Sequence, residues 1–240
     1  MLAEQEGPVR AILERRSLLR RYDEVAGSEM LVGNADLAIV VSSLNQDFNL
    51  GRLERLLAIA DEGDIPRMIG LSKCDLSSEP EKSVAEVAAE LDADVLCFSS
   101  KTGTGVEAIR ARLAPRRTTV LVGSSGVGKS TLVNTLLGEQ RRHTLETRGG
   151  DDRGRHATTT RTLLRLSNGA LLVDTPGLRS PRPASGEALD RTFPDVYEVT
   201  TSCRFGDCSH TGEPGCAVRA GIEDGRLTAR RLQSFSKLQA

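Results

Sequence analysis

The residues best suited to chemistry stand in one run, Gly123-Ser124-Ser125-Gly126-Val127-Gly128-Lys129-Ser130, followed by Thr131. The run fits the pattern G-x-x-x-x-G-K-[ST]. Its glycines let the backbone wrap tightly, and successive N–H groups at a helix start attract phosphate oxygens. Lys129 has the charge to neutralise β and γ phosphates, and the Ser130 hydroxyl suits Mg²⁺. Such chemistry needs a strand that ends at the first glycine and a helix that starts near the lysine. The apolar run at 118–122 and the helical pattern at 131–137 supply both, which argues against a plain glycine-rich turn.

Three further short motifs follow apolar runs of strand type. Ser72-Lys73-Cys74-Asp75 comes after residues 67–71, Ser99-Ser100-Lys101 after 94–98, and Asp174-Thr175-Pro176-Gly177 after 170–173. They resemble the N-K-x-D and S-A-K motifs that recognise guanine and the D-x-x-G motif that senses a γ-phosphate. A carboxylate at Asp75 accepts two hydrogen bonds from the guanine N1–H and N2–H₂, an arrangement adenine cannot offer. Lys73 can lie along the base, and Ser99 and Ser100 are expected to turn backbone N–H groups toward the guanine O6. Each motif alone is more often an ordinary solvated loop or turn; together, at strand ends beside a phosphate loop, they form a pattern.

The elements that must position them alternate. Strands at 36–41, 67–71, 94–98 and 118–122 are separated by helical patterns at 50–60, 81–91 and 106–113, which predicts an α/β fold with a mostly parallel sheet and helices on both faces. Ligands of such sheets bind beyond the strands' carboxyl ends. The base motifs precede the phosphate motifs, the reverse of ordinary GTPases, so the fold expected is a circularly permuted P-loop GTPase domain. The domain is placed at residues 31–182, after an N-terminal segment at 1–30 in which residues 9–13 read as a lone strand, either the tail of a preceding unit or an edge that docks on the domain behind it.

Residues 139–161 form a polar loop ending in His156-Ala157-Thr158-Thr159-Thr160. Thr158 or Thr159 is expected to complete the Mg²⁺ shell, with His156 a candidate to orient water. A threonine-rich strand start and a solvated histidine are the bland readings. Leu178, not Gln, follows Gly177, which predicts slow hydrolysis by the chain alone. On loss of the γ-phosphate, the Asp174 loop is expected to move whatever is tethered behind it.

Past Pro181-Arg182-Pro183, a second unit at 183–240 contains Cys203, Cys208, His210 and Cys216 within fourteen residues. Three thiolates and an imidazole suit structural Zn²⁺ in a small helical and loop module. An amphipathic basic stretch at 227–238, with Arg226, Arg230, Arg231 and Lys237, is the local candidate for RNA. Composition agrees with a cytoplasmic protein: 32 Lys and Arg against 33 Asp and Glu give no global basic field, five cysteines include the clustered three, and no run is long enough to span a membrane.

The permuted order, Gly154-Arg155-His156, Phe193-Pro194-Asp195 and Glu213-Pro214-Gly215-Cys216-Ala217-Val218 together resemble the ribosome small-subunit-dependent GTPase A family, of RsgA/YjeQ type. The resemblance implies a GTP- and Mg²⁺-dependent hydrolase, stimulated by the small ribosomal subunit late in its assembly. It also implies contact with that subunit's rRNA, one structural Zn²⁺ and a monomer without membrane attachment. Two features depart from the family. Its members begin with an RNA-binding OB-fold, of which only a last strand is expected here. Ser72 stands where Asn is usual, which removes an amide that contacts the base and braces the phosphate loop. A zinc-stabilised RNA-binding scaffold with a vestigial nucleotide site, and an ATP- or GTP-dependent phosphotransferase, are the competing readings.

Overall fold

The computed structural model describes residues 11–23, 27–45, 48–138, 161–178, 182–183, 185, 188–210 and 213–239. An antiparallel hairpin, β1 (Leu18–Asp23) and β2 (Gly27–Gly33), precedes the main sheet. The chain then alternates through β3 (Leu37–Ser43), α1 (Leu50–Glu62), β4 (Arg67–Ser72), a 3₁₀ turn (Cys74–Leu76), α2 (Pro80–Leu91), β5 (Val95–Phe98) and α3 (Val106–Ala111). It continues with β6 (Thr118–Gly123), α4 (Lys129–Leu137), β7 (Thr162–Arg165) and β8 (Leu171–Asp174).

Strand order across the sheet is β5-β4-β3-β6-β8-β7, with β7 antiparallel at one edge and the other five parallel. The two-residue period of the strands divides the core by face. Ala38, Val40, Ile69, Leu71, Val120 and Val122 join one buried cluster with residues of α1 and α2. Ile39, Val41, Met68, Leu121 and Leu172 join the other, with residues of α3 and α4. Both faces are therefore covered, and the continuous apolar runs follow from burial on both sides.

Helix α1 is the pivot of the molecule. The Asn49 side chain caps its first turn by accepting from the Arg52 N–H at 2.9 Å. At its far end the hairpin crosses so closely that a Cβ on Gly63 would lie 2.6 Å from the Leu18 carbonyl oxygen, while the Leu18 N–H donates to the Gly63 carbonyl at 3.2 Å.

The C-terminal module comprises α5 (Leu189–Thr192), α6 (Pro194–Thr200), α7 (Ala217–Glu223) and α8 (Ala229–Gln239). Its apolar core of Phe193, Val196, Val199, Val218, Leu227 and Phe235 includes Ala58 of α1. Phe193 meets Phe235 edge-on with ring centroids 5.6 Å apart, and the Arg231 guanidinium sits 4.5 Å over the Phe193 ring. Arg231 donates to Glu54 at 2.8 Å, to the Thr192 carbonyl at 2.9 Å and to Asp195 at 2.9 Å. Glu54, in α1, is 0% exposed and also accepts from Arg230. A buried ion-pair network thus fixes α8 to α1, reinforced by Thr192 donating to Asp61 at 2.7 Å and Ser185 donating to Glu62.

The structure corrects three expectations. Residues 11–13 carry no strand, and Ile12 and Leu13 are 93% and 78% exposed; Val9 and Arg10 lie outside the described residues. The hairpin forms instead at 18–33, so the boundary expected at residue 30 falls within β2. Its strands carry ionic side chains, Arg21 pairing with Glu29 across the hairpin and Arg20 with Glu62 of α1, which hides the apolar signal. The basic stretch at 227–238 is largely paired and not an open cationic face: Arg226 pairs with Asp224, Arg230 with Glu54 and Glu90, and Arg231 with Glu54 and Asp195, while Lys237 stays exposed.

Candidate functional site

The carboxyl ends of β3, β4, β5, β6 and β8 lie on one side of the sheet, and the motif residues follow them. β6 ends at Gly123, the loop turns through Ser124 to Gly128, and α4 begins at Lys129. Gly126 and Gly128 have φ of 79° and 97°, in the left-handed region that favours glycine. Gly123 passes so close to β3 that a Cβ there would lie 2.4 Å from the Val41 carbonyl oxygen. These constraints account for the three glycines and form a loop whose N–H groups lead into a helix start.

Lys129 folds back over this loop and donates to the Gly123 and Ser124 carbonyls at 2.8 and 2.9 Å. It is 6% exposed. Burial lowers its ammonium pKa to about 8, against the opposing pull of Asp174. Ser130 donates to Asp174 at 3.2 Å, so the hydroxyl and carboxylate suited to a Mg²⁺ shell already meet. Thr175 donates to the Leu121 carbonyl at 2.7 Å and the Leu178 N–H to that of Gly123 at 3.0 Å, which staples the D-x-x-G turn to β6. A Cβ on Gly177 would lie 2.5 Å from the Ser125 nitrogen, so this glycine permits direct contact between the two phosphate motifs. The Leu178 side chain turns into the apolar core and leaves the site.

The base-recognition candidates lie beside that loop. Ser72, the last residue of β4, donates to the Val127 carbonyl at 2.5 Å and lies 3.2 Å from the Ser42 carbonyl. The expectation that loss of an Asn amide leaves the phosphate loop unbraced is thereby corrected: a hydroxyl braces it. After Ser72 the backbone turns left-handed at Lys73, with φ of 59°. Cys74 turns into the core while Asp75 stays exposed.

After β5, Ser99 is buried and its N–H donates to the Thr104 carbonyl at 2.8 Å. The expectation that this N–H faces a base is corrected, and Ser100 and Lys101 remain. The Ser100 hydroxyl is buried without a hydrogen-bond partner among the described residues, which costs energy that a ligand acceptor would recover. His156, Thr158 and Thr159 lie outside the described residues. A cavity of about 640 Å³, lined by Leu44, Phe48, Leu50, Leu76, Val87 and Glu90 among others, flanks the base loop on the α2 side and does not include the phosphate loop.

In the C-terminal module, the ligand atoms of Cys203, Cys208, His210 and Cys216 all lie within 4.8 Å of one another. His210 Nδ1 is 3.6 Å from the Cys203 sulfur and 3.7 Å from that of Cys216. Tetrahedral Zn²⁺ with Zn–S of about 2.3 Å and Zn–N of about 2.05 Å places nitrogen and sulfur ligands about 3.55 Å apart. Burial opposes ionisation of Cys203, yet bonds from the Val218 and Ala217 N–H groups hold its thiol below the ordinary range, whereas desolvation and the neighbouring Cys216 and Cys203 push the Cys208 thiol up to about 11, an opposition between crowded thiols that a bound cation would relieve. The donor set and its surroundings therefore fit zinc. His210 reaches this position with φ of 61°, in the left-handed region.

Sequence reasoning did not identify Glu54 and Arg231 as partners. Phe193-Pro194-Asp195 was the nearest signal: Phe193 and Asp195 are the residues on which Arg231 docks.

Comparison with known proteins agrees with this geometry. The family model described as RsgA GTPase matches residues 12–183. The chain is 42% identical to a Vibrio vulnificus protein named small ribosomal subunit biogenesis GTPase RsgA 2, over 99% of this chain and 69% of that protein. It spans about two thirds of the length of the curated relatives it matches. Among solved structures, YjeQ from Thermotoga maritima superposes with a TM-score of 0.67 at 25% identity, covering 95% of this chain and 76% of that one. YloQ, described as a circularly permuted GTPase, superposes with a TM-score of 0.66 at 29% identity, covering 100% of this chain and 76% of that one. With the family model spanning most of its length, this chain belongs to the RsgA GTPase family.

Proposed function

We propose that this chain binds GTP across the carboxyl ends of β4, β5, β6 and β8 and hydrolyses it to GDP and phosphate. Its place is in late maturation of the small ribosomal subunit in the cytoplasm, with that subunit and its rRNA as partner and as stimulator of hydrolysis. The names of the relatives support this role. The observation that carries the nucleotide reading is the bond from Ser72 to the Val127 carbonyl. It joins the base loop to the phosphate loop in one rigid piece, so one ligand can touch both.

In this reading Asp75 accepts from the guanine edge, Lys73 lies along the base, and Ser100 and Lys101 close its other side. The loop N–H groups from Ser124 to Thr131 cradle the phosphates. Lys129 exchanges its carbonyl partners for phosphate oxygens and stabilises charge that develops on the transferring phosphoryl group. Ser130 and a threonine at 158 or 159 would hold Mg²⁺, which would supply positive charge to the reacting phosphates. Asp174 orients Ser130 and the Gly177 turn presses on Ser125, which places the γ-phosphate sensor against the loop it reports on. Leu178 offers water no polar group, so His156 or the ribosomal subunit must position the nucleophile. Zinc at Cys203, Cys208, His210 and Cys216 would hold a loop with little apolar core of its own.

The test is phosphate release from GTP, with ATP as control, in the presence and absence of purified small subunits. Faster GTP turnover with subunits supports the proposal. Equal turnover of GTP and ATP, or no response to subunits, contradicts it.

A further inference from the structure

The base loop carries a second chemistry that hydrolysis does not use. In the parallel register of β4 and β5, Leu71 pairs with Cys97. The 3₁₀ turn three residues later folds back over β5 and places Cys74 in the apolar cluster against which Cys97 also packs. Cys74 is buried, Cys97 is half-buried, and both are free thiols. Asp75, the candidate guanine ligand, is covalently next to Cys74, and Ser99 lies two residues beyond Cys97.

We infer that Cys74 and Cys97 form an oxidisable dithiol whose disulfide ties the base loop to β5 and lowers guanine-nucleotide affinity. The inference rests on the reading of Asp75 as the base-recognition carboxylate. Burial first, then the neighbouring Cys97 and Asp75, raise the Cys74 thiol above its ordinary value, so Cys74 does not react first. Cys97, which reaches solvent, is the entry point for a peroxide. Its thiolate attacks one peroxide oxygen, the O–O bond breaks, and hydroxide leaves with the thiol proton as water, giving a sulfenic acid. The Cys74 sulfur then attacks the Cys97 sulfur, the S–O bond breaks, and the departing hydroxide takes the Cys74 proton as a second water. Peroxide has gained two electrons and the two thiols have lost two. A dithiol reductant reverses the step by exchange.

A disulfide requires a Cα separation and sulfur dihedral of its own. The cross-link would hold the 3₁₀ turn against β5 and so restrict Asp75, the next residue, from meeting the base. Loss of one charge-assisted hydrogen bond to guanine weakens binding about tenfold. The zinc-loaded full chain is treated with hydrogen peroxide, mapped by peptide mass spectrometry and titrated with fluorescent GDP, before and after dithiothreitol. The expected result is a cross-linked peptide pair joining residues 74 and 97, two hydrogens lighter than the thiols. Affinity should fall about tenfold and recover on reduction, and Cys97→Ser and Cys97→Ala should lose the response.

Thiols at 74 and 97 that both survive oxidation, or a cross-link without loss of affinity, overturn the inference. Failure of the reduced protein to bind GDP would instead overturn the base-loop reading, so the two failures are distinguishable.

Discussion

In the proposed site, Lys129 makes nucleotide binding a proton-linked reaction. Without ligand its ammonium is held by two backbone carbonyls in a buried position, and its pKa is about 8. Bound phosphates replace those carbonyls with formal negative charge, which restores the pKa toward the ordinary 10.5 or above. Binding above pH 8 must therefore take up a proton. At pH 7 about one tenth of the free protein has lost it, and at pH 8.5 about three quarters, so the association constant for GDP falls about fourfold across that range.

The assay is a fluorescent-GDP titration at fixed ionic strength and fixed Mg²⁺ between these two pH values. Guanosine serves as control because it lacks the phosphates Lys129 binds, and its affinity should stay flat. The reasoning is refuted if GDP affinity is independent of pH, or if guanosine shows the same slope. The same shift has a stability counterpart. The folded-state pKa lies below that of the unfolded lysine, so the unfolded chain holds more protons between about pH 8 and 10.5. Stability of the ligand-free protein from this group then rises with pH through that window.

Three substitutions test the contacts around the site. Ser72→Ala removes the hydroxyl that braces Val127 and should weaken GDP binding about tenfold with little change in fold, read by the same titration beside circular dichroism. Gly177→Ala drives a Cβ against the Ser125 backbone and should lower GTP turnover about a hundredfold, measured as phosphate release. Glu54→Leu leaves Arg231, which is 4% exposed, with Asp195 as its one remaining carboxylate among the described residues, and leaves Arg230 with Glu90. It should cost about 3–5 kcal/mol, read as a shift in the urea midpoint at unchanged slope, and a loss under about 1 kcal/mol would show that the network does not hold the module.

The parallel sheet and its loops were legible in the sequence because burial on both faces writes strands as unbroken apolar runs. The phosphate loop, moreover, constrains glycine at positions 123, 126 and 128 for backbone reasons alone. The hairpin was not legible. Its strands present Arg20, Arg21 and Glu29 to ionic partners, and among the residues described there only Leu19 and Leu31 are buried. Nor was the role of Ser72: serine in place of asparagine reads as a lost contact until the Val127 carbonyl is seen within reach of its hydroxyl. Arg230 and Arg231 look like a cationic face in one dimension. In three they meet a carboxylate buried 177 residues earlier than Arg231, a pairing no local pattern encodes. That pairing also places the C-terminal module's anchor on α1, beyond its chain link to the Asp174 loop.

The central claim is that Asp75 and Lys129 hold opposite ends of one guanine nucleotide although the chain reaches them in reversed order. Its most direct test is the affinity of wild-type protein and Asp75→Asn for GDP and for xanthosine diphosphate, whose C2 carbonyl accepts from an amide where guanine's amine donates to a carboxylate. The account predicts that wild type prefers GDP and that the variant prefers the xanthine nucleotide. A variant that keeps the wild-type preference would contradict it.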